Sequence, residues 1–124
     1  MLLKTPNQMH DFKKLNVWNE AIKLVTEIYE ITEKFPRMEV YGISNQIRRS
    51  AISIPSNIAE GSGRKSSGSF KLFLSYSYGS CCELETQLII AKNINYIEEN
   101  ILNRLIEKIS VIEKMLTNLS KSII

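Results

Sequence analysis

A chain of 124 residues with 44% hydrophobic and 23% charged side chains supports one ordinary core and is neither disordered nor fibrous. Three prolines and five glycines are too few for an all-β protein, which needs a turn about every ten residues. Sixteen Lys and Arg against thirteen Asp and Glu leave a formal charge of +3, which permits an anionic partner without demanding one.

Residues 1–11 read as a flexible leader, because Pro6, Asn7, Gln8, His10 and Asp11 follow Lys4 where a secretory signal would need an apolar run. The first predicted helix spans about 17–34. It carries two apolar stripes, Trp18, Ile22, Val25 and Tyr29 beside Ala21, Leu24, Ile28 and Ile31, a width suited to touching more than one neighbour. Asn16 is its expected N-cap, and Phe35-Pro36 ends it, since the residue before proline is pushed out of the α region.

The second predicted helix, about 39–61, carries Val40, Ile43, Ile47, Ala51, Ile54 and Ile58 at steps of 3, 4, 4, 3 and 4 residues. Pro55 lies inside that seam without breaking its phase, which predicts one helix kinked at Pro55 with the Ala51 carbonyl left free. Serines 50, 53 and 56 are placed to support the freed backbone. A Gly/Ser-rich loop is expected over Gly61–Ser69.

The third helix, about 69–94, has the seam Phe70, Phe73 or Leu74, Ser77, Cys81, Leu84, Leu88 and Ala91. Gly79 sits in its middle, where glycine costs about 1 kcal/mol relative to alanine, and implies a close backbone approach by a neighbour. Asn95 with Glu98 has the spacing of a capping box for the last helix, about 96–121, whose apolar series is Ile101, Leu105, Ile109, Ile112, Leu116, Leu119 and Ile123. Together these predict an all-α chain, a single domain over 1–124 forming an antiparallel up-down four-helix bundle, roughly 30–36 Å tall.

The chemical inventory argues against an enzyme. His10 stands alone, adjacent Cys81 and Cys82 can hardly staple a fold, and Glu83 and Glu85 diverge on a helix. No metal site, cofactor or small-molecule substrate is implied, no segment reaches a membrane span of about 18 apolar residues, and the cysteine usage fits a reducing, cytoplasmic setting. The Gly61–Ser66 segment fails the spacing of a nucleotide-binding phosphate loop and follows a helix rather than a strand.

Charge is distributed unevenly. Residues 37–71 hold Arg37, Arg48, Arg49, Arg64, Lys65 and Lys71 against Glu39 and Glu60 alone, whereas the rest of the chain carries ten bases and eleven acids. Arginine suits bidentate phosphate contacts, and equally suits pairing with Glu60, Glu83 or Glu85. Arg64 and Lys65, expected in a loop without a nearby acid, favour an anionic partner. Ile52 points outward on the helical wheel, as a subunit contact would.

The run Gln46-Ile47-Arg48-Arg49-Ser50-Ala51-Ile52-Ser53-Ile54-Pro55-Ser56-Asn57-Ile58-Ala59-Glu60-Gly61 resembles the signature of the 23S rRNA intervening-sequence protein family. Leu15-Asn16-Val17-Trp18, Phe35-Pro36, Phe73-Leu74, Gly79-Ser80 and Glu83-Leu84-Glu85 agree with it, and the similarity extends over about residues 12–120. The resemblance implies an up-down four-helix bundle assembling as a ring, commonly a homopentamer. It also implies kinship with the basic, nucleic-acid-binding accessory variability protein of diversity-generating retroelements. The expected function is therefore a non-enzymatic homo-oligomer that contacts RNA through Arg48, Arg49, Arg64, Lys65 and Lys71, with Ile52, Pro55 and Gly79 in helix or subunit packing. The competing expectation is a structural oligomerisation module whose arginines are spent on internal salt bridges.

Overall fold

A computed structural model describes residues 11–37 and 42–124. The expected leader up to residue 10, and the part of the second helix expected over 39–41, lie outside the described residues. After a short 3-10 turn at Phe12–Lys14 come α1 (Asn16–Thr32), α2 (Ile43–Ser62), α3 (Ser67–Asn93) and α4 (Glu99–Ser122). No strand occurs among the described residues.

Helix α1 buries Val17, Ala21, Leu24, Ile28 and Thr32, so the second predicted stripe faces the core. On the first stripe Trp18 and Val25 are half-buried, whereas Ile22 and Tyr29 remain exposed. Asn16 is not the N-cap. Leu15 holds that position without a side-chain cap, and the amide of Asn19 fastens the entry instead, donating to the carbonyls of Lys13 (3.0 Å) and Leu15 (3.1 Å). Past the helix, Phe35 is buried with its ring 5.2 Å from that of Tyr96.

Helix α2 runs unbroken through Pro55 and buries Ile47, Ala51, Ile54 and Ile58, the predicted seam. Serine support goes to different carbonyls from the one expected. Ser53 donates to the Ser50 carbonyl at 2.7 Å, and Ser77 reaches across from α3 to the Ile54 carbonyl at 2.9 Å. The Ser50 hydroxyl serves the Glu83 carboxylate instead (3.0 Å), and Ser56 is exposed.

The Gly/Ser connection is shorter than expected. Gly61 and Ser62 complete the last turn of α2, and Ser66 caps α3 by accepting from the Ser69 amide at 3.1 Å. The turn from α3 to α4 also departs from expectation. Asn95 takes φ 66°, the Tyr96 amide donates to the Ala91 carbonyl (2.8 Å) and the Asn95 amide to that of Lys92 (3.0 Å). That pattern is a Schellman motif, so Asn95 closes α3 rather than opening α4, whose N-cap is Glu98.

Cross-contacts place Ser50 against Glu83, Ser53 against Ser80, Ile54 against Ser77 and Gly61 against Phe73, so α2 and α3 run in opposite directions. The fit is tight at Gly61, where a Cβ would lie 2.7 Å from the Phe73 Cβ and 3.0 Å from Phe70 Cδ1. Gly79, where such an approach was expected, has nothing within 4 Å of a Cβ position. On the opposite side, Glu27 of α1 accepts from Arg104 (2.6 Å) and Lys108 (2.7 Å) of α4.

The packing at Gly61 sets a stability test. Gly61→Ala gains about 1 kcal/mol of helix propensity but overpacks two aromatic side chains at a cost of about 1–3 kcal/mol. A net loss is expected in thermal or denaturant unfolding. A variant more stable than the parent would refute the tight fit.

Candidate nucleic-acid interface

The five predicted contact residues separate into two groups. Arg48 is tied to the end of α1: its Nε donates to Thr32 Oγ1 at 2.8 Å, and a terminal nitrogen lies 3.3 Å from the Glu33 carboxylate and 3.5 Å from the Tyr29 carbonyl. Its guanidinium also stacks 4.5 Å from the Tyr29 ring centroid. A cation over the last carbonyls of a helix complements the negative end of its dipole. The acid is Glu33, not the expected Glu60, Glu83 or Glu85.

Arg64 is likewise engaged. It pairs with Glu60 at 2.8 Å and stacks 4.5 Å from the Phe73 ring. It was expected to have no acid nearby, because Gly61 read as the start of a loop. The helix instead continues through Ser62, and Gly63 stays in the right-handed region, so Glu60 and Arg64 fall one turn apart.

Arg49, Lys65 and Lys71 are exposed, and their side chains make no ion pair or hydrogen bond among the described residues. Arg49 rims a groove between α2 and α3, about 340 Å³ in volume, lined by Gln46, Ser50, Ser53, Glu83 and Gln87. Lys71 faces the other way, into a groove of about 490 Å³ between α3 and α4 that also holds Lys121, Ser75 and Ser120. Arg48 and Arg64 stand sixteen residues apart, about 24 Å along a helix axis. The basic excess, contiguous in sequence, is thus spread along α2 and around two faces of the bundle.

Ile52 is 41% exposed, as its wheel position requires, and Pro55 is buried inside α2. Sequence reasoning missed Glu33 and Thr32 as partners of Arg48. It also missed Gln87, whose signal is a polar residue immediately before the seam residue Leu88.

The thiols lie in surroundings that suppress their reactivity. Burial pushes Cys81 up to about 12, with the Glu113 charge adding to it. Cys82 is exposed and its Sγ lies 3.7 Å from a Glu113 carboxylate oxygen; it too is raised, first by desolvation and then by that charge. Glu113 is itself held above the ordinary carboxylate range by desolvation and by Glu85. Raised thiols are the reverse of what a nucleophile or a metal ligand needs. Among the described residues no group of three or more His, Cys, Asp or Glu is placed to hold a metal ion, and no helix is long and apolar enough to cross a membrane.

These shifts predict that iodoacetamide near pH 8 modifies Cys82 slowly and leaves Cys81 intact, read as one adduct by mass spectrometry. Glu113→Gln removes a negative charge that favours the protonated thiol, so Cys82 alkylation should accelerate. An unchanged rate would break the link to Glu113.

Comparison with known proteins agrees with this architecture. A crystal structure of a protein of unknown function from the S23 ribosomal protein family of Bacteroides thetaiotaomicron superimposes with a TM-score of 0.75. It shares 23% identity and covers 85% of this chain and 98% of that one, which establishes a common fold. No curated protein matches the chain. The family model described as 23S rRNA-intervening sequence protein matches residues 13–118, nearly the whole described helical region, and the chain belongs to that family.

Proposed function

We propose that this protein is a non-enzymatic cytoplasmic accessory protein that binds single-stranded RNA by phosphate contacts, as an antiparallel bundle assembled into a ring. The observation that carries the reading is the set of cations left free of internal partners: Arg49, Lys65 and Lys71 are exposed and unpaired among the described residues. The family's name, 23S rRNA-intervening sequence protein, supports an RNA-related role. Arg48 and Arg64, spent on Glu33 and Glu60, act here as structural residues that shape the surface.

Assembly is supported by apolar side chains that the single chain leaves uncovered. Ile22, Tyr29 and Ile52 are exposed on α1 and α2, and Gly79 offers open backbone on α3. A ring of five +3 chains would concentrate about +15 in one particle. The second reading, an oligomerisation module without RNA, is favoured by the internal pairing of Arg48 and Arg64.

Salt titration separates the two. For each phosphate contact, log K should fall by roughly 0.7 per unit of log salt, so replacing Arg49, Lys65 and Lys71 together by alanine should flatten the slope by about 2. Fluorescence anisotropy with a labelled oligouridine reads this directly, and a salt-independent signal would remove the RNA reading. Light scattering at micromolar protein should report an oligomer, whereas a clean monomer would remove the ring.

A further inference from the structure

The trough between α3 and α4 carries features that phosphate contact alone leaves unused. Two hollows of about 490 Å³ and 390 Å³ adjoin there, sharing Tyr78 and Thr117 in their walls. One end has the buried side chains of Leu74 and Leu116 in its lining, together with Lys71 and Lys121. Both lysines are exposed, and their side chains make no ion pair or hydrogen bond among the described residues. The other end holds Lys114 and Glu113, whose carboxylate lies 3.7 Å from Cys82 Sγ.

Tyr78 stands where the two hollows meet, and its ring is open. Tyr29, Tyr76 and Tyr78 are all exposed, yet the first two are engaged. The Arg48 guanidinium covers Tyr29 at 4.5 Å, and Tyr76 meets the Phe73 ring with centroids 5.4 Å apart. Tyr78, 40% exposed, has no aromatic or cationic partner among the described residues. Inorganic phosphate would use the two lysines and leave this ring idle. A fatty acyl chain would lay methylenes against Glu113, and an acidic peptide would bring a like charge to it. A nucleotide presents a phosphate, a flat ring and ring-edge N–H donors, which answer the lysine pair, Tyr78 and the Glu113 carboxylate in that order. Proteins that hold single strands join a cationic groove to aromatic side chains on which bases stack.

We propose that the α3–α4 trough is the path of the bound single-stranded RNA, with one base stacked on Tyr78 and its phosphate held by Lys71 and Lys121. This rests on the RNA reading above and gives it a path. It adds two contact residues, Tyr78 and Lys121, that lie outside the basic stretch of residues 37–71. Glu113 repels a phosphate at the far end, which fixes the anion at the end where the two lysines stand.

The test uses the full chain, with labelled oligouridine and an abasic ribose-phosphate strand of equal length. At low salt the parent should bind oligouridine about tenfold more tightly than the abasic strand, within the range of one base–aromatic stack. Tyr78→Ala should erase that preference and leave the abasic affinity unchanged, whereas Tyr78→Phe, which keeps the ring, should retain it. Lys121→Ala should flatten the salt slope by about 0.7 on both strands. A preference that survives Tyr78→Ala, a loss shared equally by both strands, or a slope unmoved by Lys121→Ala overturns this path and leaves the phosphate reading standing. A polyglutamate that binds more tightly than oligouridine of equal charge, and weakens in Tyr78→Ala, would instead assign the trough to an acidic protein segment. Failure to bind either strand overturns both the path and the RNA reading.

Discussion

The structure depends on how closely α2 and α3 can approach. Gly61 lets the Phe70 ring and the Phe73 Cβ sit where a side chain would stand, and serines from both helices tie the seam further along through Ser53–Ser80, Ser50–Glu83 and the Ser77 bond to the Ile54 carbonyl. Small side chains bring two backbones together, and each hydroxyl then needs a partner because it is drawn out of water. Ser77 is fully buried and finds its partner in a helix carbonyl. The groove beside this seam shares two of these serines, Ser50 and Ser53, and adds Gln46, Glu83 and Gln87.

The same constraint divides the cations. Where α2 passes α1, Arg48 is drawn onto the end of that helix by Thr32, Glu33 and Tyr29. At the other end of α2, Arg64 is folded back onto Glu60 and Phe73. Arg49, one residue from Arg48, has neither neighbour, since a step of about 100° carries it to the outer side. Adjacent arginines with identical chemistry therefore have different fates, decided by helical phase.

Periodicity was sufficient for the seams: Ile47, Ala51, Ile54 and Ile58 on α2, and Leu105, Ile109, Ile112 and Leu116 on α4, are buried as their spacing requires. Termini were harder to read, because capping residues serve several roles. Asn95 has the side chain of an N-cap and the backbone tolerance of a C-terminal cap, and the tertiary course of the chain selects the second. Gly61 and Gly79 were assigned opposite roles to those they hold within the chain. Glycine content says that space or freedom is needed, but only the aromatic neighbours on α3 say where. The cation sites were legible as residues and illegible as a surface: partners such as Glu33, fifteen residues from Arg48, have no sequence signal tying them together.

Helix α2 itself is a poor helix by composition. Its twenty residues include five serines, a proline and a glycine, all low in intrinsic propensity, and Pro55 deletes one of its own hydrogen bonds. A segment of that kind and length does not hold its shape alone in water. Its order is supplied by docking on α3, so the element that displays Arg49 exists only once its neighbour is in place. Folding of the bundle is thereby made cooperative at its most serine-rich helix, and the surface that carries Arg49 cannot form ahead of the core.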